Sequence, residues 1–190
     1  IGSLSYTQHP YKRGVIGDLV QLNAATPADA KSFYDLYYRP DNAYLIVVGD
    51  FDQAKFDAWT DKYFGRVKRP ASSIPRVTVK EPARTKETRY EKTAPNVPFP
   101  AVAITYLAPP SNDPDIAALR VADKILSGGE SSRLYQSLVY KQQIAQEASF
   151  NLDLKVDGGL LYFFAIASEG KTGAELEKSL LAELKLIQNK

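Results

Sequence analysis

The sequence predicts an α+β protein, a largely antiparallel sheet with helices packed on one face. Three observations carry that expectation. From residue 144 to 156, apolar and polar side chains alternate with period two, as in a strand with one buried face. Asp157-Gly158-Gly159 then signals a hairpin, and the returning run 160–167 is apolar on both faces, as in a central strand. Hairpins and helix pairs in succession favour α+β over an alternating parallel sheet.

The elements follow in order. Residues 1–25 are turn-rich, and His9-Pro10-Tyr11 with Gly14 to Gly17 reads as a loop. Thr26-Pro27-Ala28-Asp29 starts a helix: Thr26 caps it, Pro27 suits the first position and Asp29 favours the positive end. Ala30, Phe33, Tyr34 and Tyr37 give it one apolar face, and Pro40-Asp41-Asn42 stops it. Residues 44–48 are apolar throughout and predict a covered central strand. Asp52 caps a second helix, with Phe56, Trp59 and Tyr63 on one side and Gly65 at its end. Pro70, Pro75, Pro82, Pro95, Pro98 and Pro100 then punctuate a linker that carries an edge strand near residues 85–93.

The second region is better patterned. Residues 101–107 read as a strand. Asp115 begins a helix through Leu126, with Ile116, Leu119 and Ile125 facing inward, and Gly128-Gly129 ends it. Ser131 or Ser132 caps the next helix, where Leu134 and Leu138 share a face. Thr172-Gly173-Ala174-Glu175 is a capping box, and Leu176, Leu180, Leu184 and Ile187 line the last helix. The predicted order is α-β-α, a linker, then β-β-α-α-β-β-α.

Composition narrows the function classes. A net charge of +2 over 190 residues gives no argument for nucleic acid or an acidic membrane surface. No apolar run approaches the roughly 20 residues of a membrane helix. There is no cysteine, hence no thiolate metal site and no disulfide. A single histidine cannot supply the three ligands of an ordinary catalytic zinc, and neither HxxEH nor HExxH occurs. His9 therefore reads as a loop residue rather than a ligand, and no GxSxG supports a serine nucleophile. The chain starts at Ile1 and contains no methionine, which reads as an excised piece of a larger protein.

Residues 127–146, SGGESSRLYQSLVYKQQIAQ, resemble the second-half signature of the M16 (pitrilysin/insulinase) zinc peptidases, close to GGxSSRLxxxLRExxGLAY. His9-Pro10-Tyr11, Gly17, and Thr26 through Asp50 are similar to that family's HPY…G…T…F…YYxPxNAxLVVVGD, and Lys62-Tyr63-Phe64-Gly65 to its KYFG helix end. The resemblance implies that residues 1–69 close a first module, 70–85 form a Pro-rich linker, and 86–190 open a second, non-catalytic module that is truncated. Zinc and its HxxEH motif would then lie outside this chain, with no cofactor within it. The implied partners are a peptide or unfolded protein substrate and a second M16-like module or subunit. A bacterial periplasm or cell envelope is the implied location.

The resemblance also nominates residues. The turn Gly128, Gly129, Glu130, Ser131, Ser132 occupies the place of a glycine-rich loop that contacts substrate in some members. The simpler reading is a helix-to-helix turn that needs glycine. In the family an Arg/Tyr pair of this signature faces the zinc site and stabilises the reacting carbonyl. Val139 and Gln146 stand at those positions and cannot reproduce the pair, since Val has no donor and Gln is shorter and neutral. Read from the residues alone, Gln146 is a polar side chain satisfied by neighbours and Val139 faces the core. Three functions follow: the inactive domain of a zinc metallopeptidase that helps form the substrate chamber, a non-catalytic scaffold like the core proteins of respiratory complexes, or an unrelated α+β binding domain.

Overall fold

The computed structural model describes residues 1–189. The chain divides into two units, residues 15–78 and a second built from residues 1–14 with 79–190. Residues 1–14 thus pack with residues that follow them by more than sixty positions. The cause is non-local. The Glu81 carboxylate accepts the backbone N–H of Thr7 (2.7 Å), Gln8 (3.0 Å) and His9 (2.9 Å) and the Thr7 hydroxyl (2.7 Å).

That larger unit contains a three-stranded antiparallel sheet, β1 (Ala101–Leu107), β2 (Ala145–Asp153) and β3 (Leu160–Ala167), in the order β1-β3-β2. The doubly apolar run is the central strand, as its pattern requires. Register aligns Val102 and Ala148 with Ala165, and Ile104 and Phe150 with Phe163. This face meets α5 (Ile116–Ser127), a π-helical segment (Tyr135–Lys141) and α6 (Gly173–Gln188). Leu126, Leu134, Leu138, Phe150, Phe163, Leu176 and Leu180 form the buried centre. The Phe150 and Phe163 rings are 4.8 Å apart, within the range where tilted aromatic pairs attract. The opposite face is touched at β1 by α1 (Gly2–Ser5), whose Ser5 hydroxyl donates to Thr105 Oγ1.

Local signals set the last helix. Thr172 and Glu175 exchange both bonds of the capping box, and the predicted apolar face is the one packed inward. In α5 the prediction was one residue out. Leu126 is buried, whereas Ile125 is 49% exposed, because the helix turns its 116–119–126 stripe to the sheet. The edge strand expected at 85–93 is not formed, so the second region runs β-α-α-β-β-α. Side chains hold that segment in place of a backbone ladder: Arg89 is bidentate to Glu177 on α6, and Arg84 donates to the Thr105 and Ser5 carbonyls.

Residues 15–78 contain α2 (Leu19–Ala24), α3 (Pro27–Tyr37) and α4 (Gln53–Phe64). The Thr26–Asp29 capping box and the Asp52 cap form as their residue types predict. Their apolar faces stay open, with Phe33, Tyr34, Trp59 and Tyr63 exposed. Residues 44–48 form no strand, correcting the expected central strand. Tyr44 and Val48 are more than nine-tenths exposed, since no neighbouring strand among the described residues pairs with this run. The firmest point is Arg39, which is buried. Its guanidinium donates to Asp41 (2.6 and 2.9 Å) and to the carbonyls of Ser72 (2.8 Å) and Pro70 (3.0 Å).

Candidate functional site

The nominated residues occupy the helix-turn-helix-strand passage from α5 to β2. Gly128 ends α5 by donating its N–H to the Lys124 carbonyl at 3.0 Å. A Cβ there would lie 2.5 Å from that same oxygen, so only glycine fits. Gly129 has φ +91°, the left-handed region. Its carbonyl accepts the Ser132 N–H, and the Ser132 carbonyl accepts that of Gln136. Ser132 is buried and Ser131 exposed. The turn thus has a sufficient backbone reason for its glycines.

Val139 is half-buried and packs against the core cluster, so it is part of the hydrophobic floor. Gln146 is the extra residue of a bulge, because Ala145 pairs with Ala167 and Glu147 with Ile166. The bulge breaks the alternation read from the sequence, leaving Ala145 buried and Gln146 exposed. The Gln146 amide donates to the Ala167 carbonyl at 2.9 Å, which satisfies it locally.

Two features of this passage escaped the sequence reading. The helix before β2 is π-helical: Gln142 N–H donates to the Ser137 carbonyl at 2.9 Å, five residues back. The chain then leaves it through Gln143 at φ +52°, the one non-glycine residue with positive φ among the described residues. The signal was present, since the glycine of LRExxGLAY falls at Gln143.

A groove of about 1150 Å³ runs beside β2, one of the two outer strands of the sheet. It is lined by Arg120, Val121 and Ile125 of α5 and by Asn151, Asp153 and Tyr162 of the sheet. Val121 and Ile125 offer exposed apolar contacts, while the β2 edge offers backbone donors and acceptors.

The lone histidine does not fit a zinc site. His9 Nδ1 accepts the Tyr11 N–H at 3.2 Å, and Nε2 faces a single carboxylate, Asp157, at 3.7 Å. Among the described residues no three His, Cys, Asp or Glu side chains converge as a metal cradle. Nor is any described helix long and apolar enough to cross a membrane.

The family described as Peptidase M16 inactive domain matches residues 24–190. The zinc protease PqqE of Helicobacter pylori is 31% identical over 186 residues, covering 97% of this chain and 42% of the relative. A crystal structure of a protease from Helicobacter pylori superposes with a TM-score of 0.87 at 31% identity, over 95% of this chain and 44% of that one. The M16 inactive domain from Pseudomonas fluorescens gives 0.74 at 19% identity, over 97% and 44%. The periplasmic protease PqqL of Escherichia coli gives 0.54 at 18% identity, over 94% and 22%. The chain thus spans less than half the length of these proteins, and an unrelated binding domain is set aside. The chain belongs to the M16 peptidase family and corresponds over most of its length to that family's inactive domain.

Proposed function

We propose that the chain is the non-catalytic part of a zinc metallopeptidase and forms part of the wall of its peptide-substrate chamber. The observation that carries this is the groove between α5 and the open edge of β2. An extended peptide added there would pair its backbone with the strand and lay alternate side chains on Val121 and Ile125. Such strand addition tolerates many sequences, as a processing or degradative peptidase requires. The zinc and its HxxEH motif belong to another part of the complete protein, and a second M16-like module faces this one. The turn of Gly128, Gly129, Ser131 and Ser132 is a further point of substrate contact. Export to the periplasm or cell envelope accords with PqqL, a periplasmic protein of the same fold.

The test is peptide binding and cleavage by the complete gene product carrying Val121→Glu or Ile125→Glu. Both positions are exposed, so the fold should survive. KM should rise about tenfold with kcat little changed, the mark of lost uniform binding. Unchanged KM in both variants would overturn the assignment of the groove.

A second reading rests on Val139 and Gln146. The first packs on the core and the second donates to the Ala167 carbonyl, and neither side chain offers the charge or hydroxyl of the family's pair. That suits a scaffold subunit as well as a zinc-bearing subunit whose partner supplies the pair. A complete gene product without an HxxEH motif and without zinc would favour the scaffold.

A further inference from the structure

We propose that His9 is a proton-operated latch on the Pro10–Lys12 turn, closed while its imidazole is neutral and opened by protonation at Nδ1. The imidazole is 1% exposed, which is unusual for a residue in a Pro-containing surface turn. Its Nδ1 is the N-cap acceptor of that turn, taking the Tyr11 backbone N–H at 3.2 Å. An acceptor nitrogen carries no proton, so the neutral ring bears its hydrogen on Nε2. Among the described residues Nε2 has no hydrogen-bond partner, and it lies 3.7 Å from Asp157 Oδ2. Buried polar atoms are seldom left unpaired.

A proton from solvent would bond to the Nδ1 lone pair. The cap then holds two N–H groups facing each other, and the Tyr11 amide must turn away. The resulting imidazolium is drawn toward the Asp157 carboxylate, itself 45% exposed and so open to water. One proton is taken up and one hydrogen bond is exchanged for an ion pair.

The surroundings do not pre-empt this exchange. The Tyr6 and Tyr11 rings flank the imidazole, with centroids 6.2 and 4.1 Å away. Burial, with Asp153 adding to it, pushes the Tyr6 hydroxyl up to about 12, so it stays neutral throughout. The Lys155 ammonium is paired with Asp153 and lies over the Tyr11 ring. Arg84 is spent on Ser5 and Thr105, and Glu81 holds the His9 backbone N–H rather than the ring. Among the described residues Asp157 is the one anion within ion-pairing distance of the imidazole.

The test uses the whole chain and nuclear magnetic resonance between about pH 8 and 5, the span in which imidazoles titrate. The His9 ring signals and the Tyr11 amide signal should move with one midpoint. Protection of the Tyr11 amide, corrected for intrinsic exchange, should fall about tenfold on the acid side. His9→Asn keeps a side-chain oxygen for the Tyr11 N–H but cannot titrate, so its Tyr11 amide should stay protected at both ends. A ring that titrates without moving Tyr11, or one that stays neutral until the chain unfolds, would overturn the latch. Should His9→Asn fail to fold, the coincidence of the two wild-type midpoints decides alone.

Discussion

The side-chain amide of Gln146 donates to the backbone carbonyl of Ala167 at 2.9 Å, across the bulge that opens β2. This bond gives Gln146 a structural task at the position that the sequence resemblance aligns with the tyrosine of the family signature. Gln146→Ala leaves a buried carbonyl short of a donor and should cost about 1 kcal/mol. Gln146→Tyr should cost at least as much, because a phenol cannot reproduce the short amide reach. Urea unfolding of the two variants checks this, and a neutral result for both would remove the structural reading.

Gln143 should respond in the opposite direction. It holds φ +52°, which costs a residue with a Cβ about 1 kcal/mol. Gln143→Gly should therefore stabilise the chain by somewhat less than that, since glycine gains freedom in the unfolded state. The comparison is again the unfolding midpoint, with Gln142→Gly as the destabilising control.

Glu81 makes the attachment of residues 1–14 sensitive to strong acid. Its burial works against the charged form, but the bonds from His9, Thr7 and Gln8 outweigh that and hold the carboxyl down at about 2, from an ordinary 4.5. A carboxyl lowered in the fold stabilises it above the unfolded value and loses that contribution as pH falls from about 4.5 toward 2. Amide exchange of residues 5–12 should therefore accelerate across that window in the wild type. In Glu81→Gln it should be fast already at neutral pH.

Arg39 should matter most to residues 15–78. Arg39→Ala strips donors from two carbonyls and leaves Asp41 with Arg69 alone. The melting temperature of that unit should fall by several degrees, about the scale of 1–2 kcal/mol in a small domain. Arg39→Lys should rescue little, because an ammonium cannot span the carboxylate and both carbonyls.

What the sequence made legible was local or periodic. The helix starts at Thr26, Asp52 and Thr172, the α6 face and the central place of β3 are properties of neighbouring residues. What it hid depends on distant partners. The 44–48 run looks like a strand because its side chains demand cover, but a strand exists only where another strand pairs with it. The edge strand at 85–93 failed for the same reason. Alternation along 144–156 was real, yet one bulge residue at Gln146 shifted the facing of its first positions. His9 read as a loop residue because its burial is set by Glu81, 72 positions on, and by the hairpin at Asp157. In the candidate site, the glycines and the missing Arg/Tyr pair were visible in the residues. The π-helical turn and the groove beside β2 were not, since neither leaves a sequence period of its own.

The most direct test of the central claim is zinc per polypeptide, measured on the complete gene product and on this chain alone. The account predicts about one zinc in the complete product, the stoichiometry of a three-ligand catalytic site, and none held stoichiometrically by this chain. Stoichiometric zinc in this chain, with chelator-sensitive peptide cleavage, would contradict it.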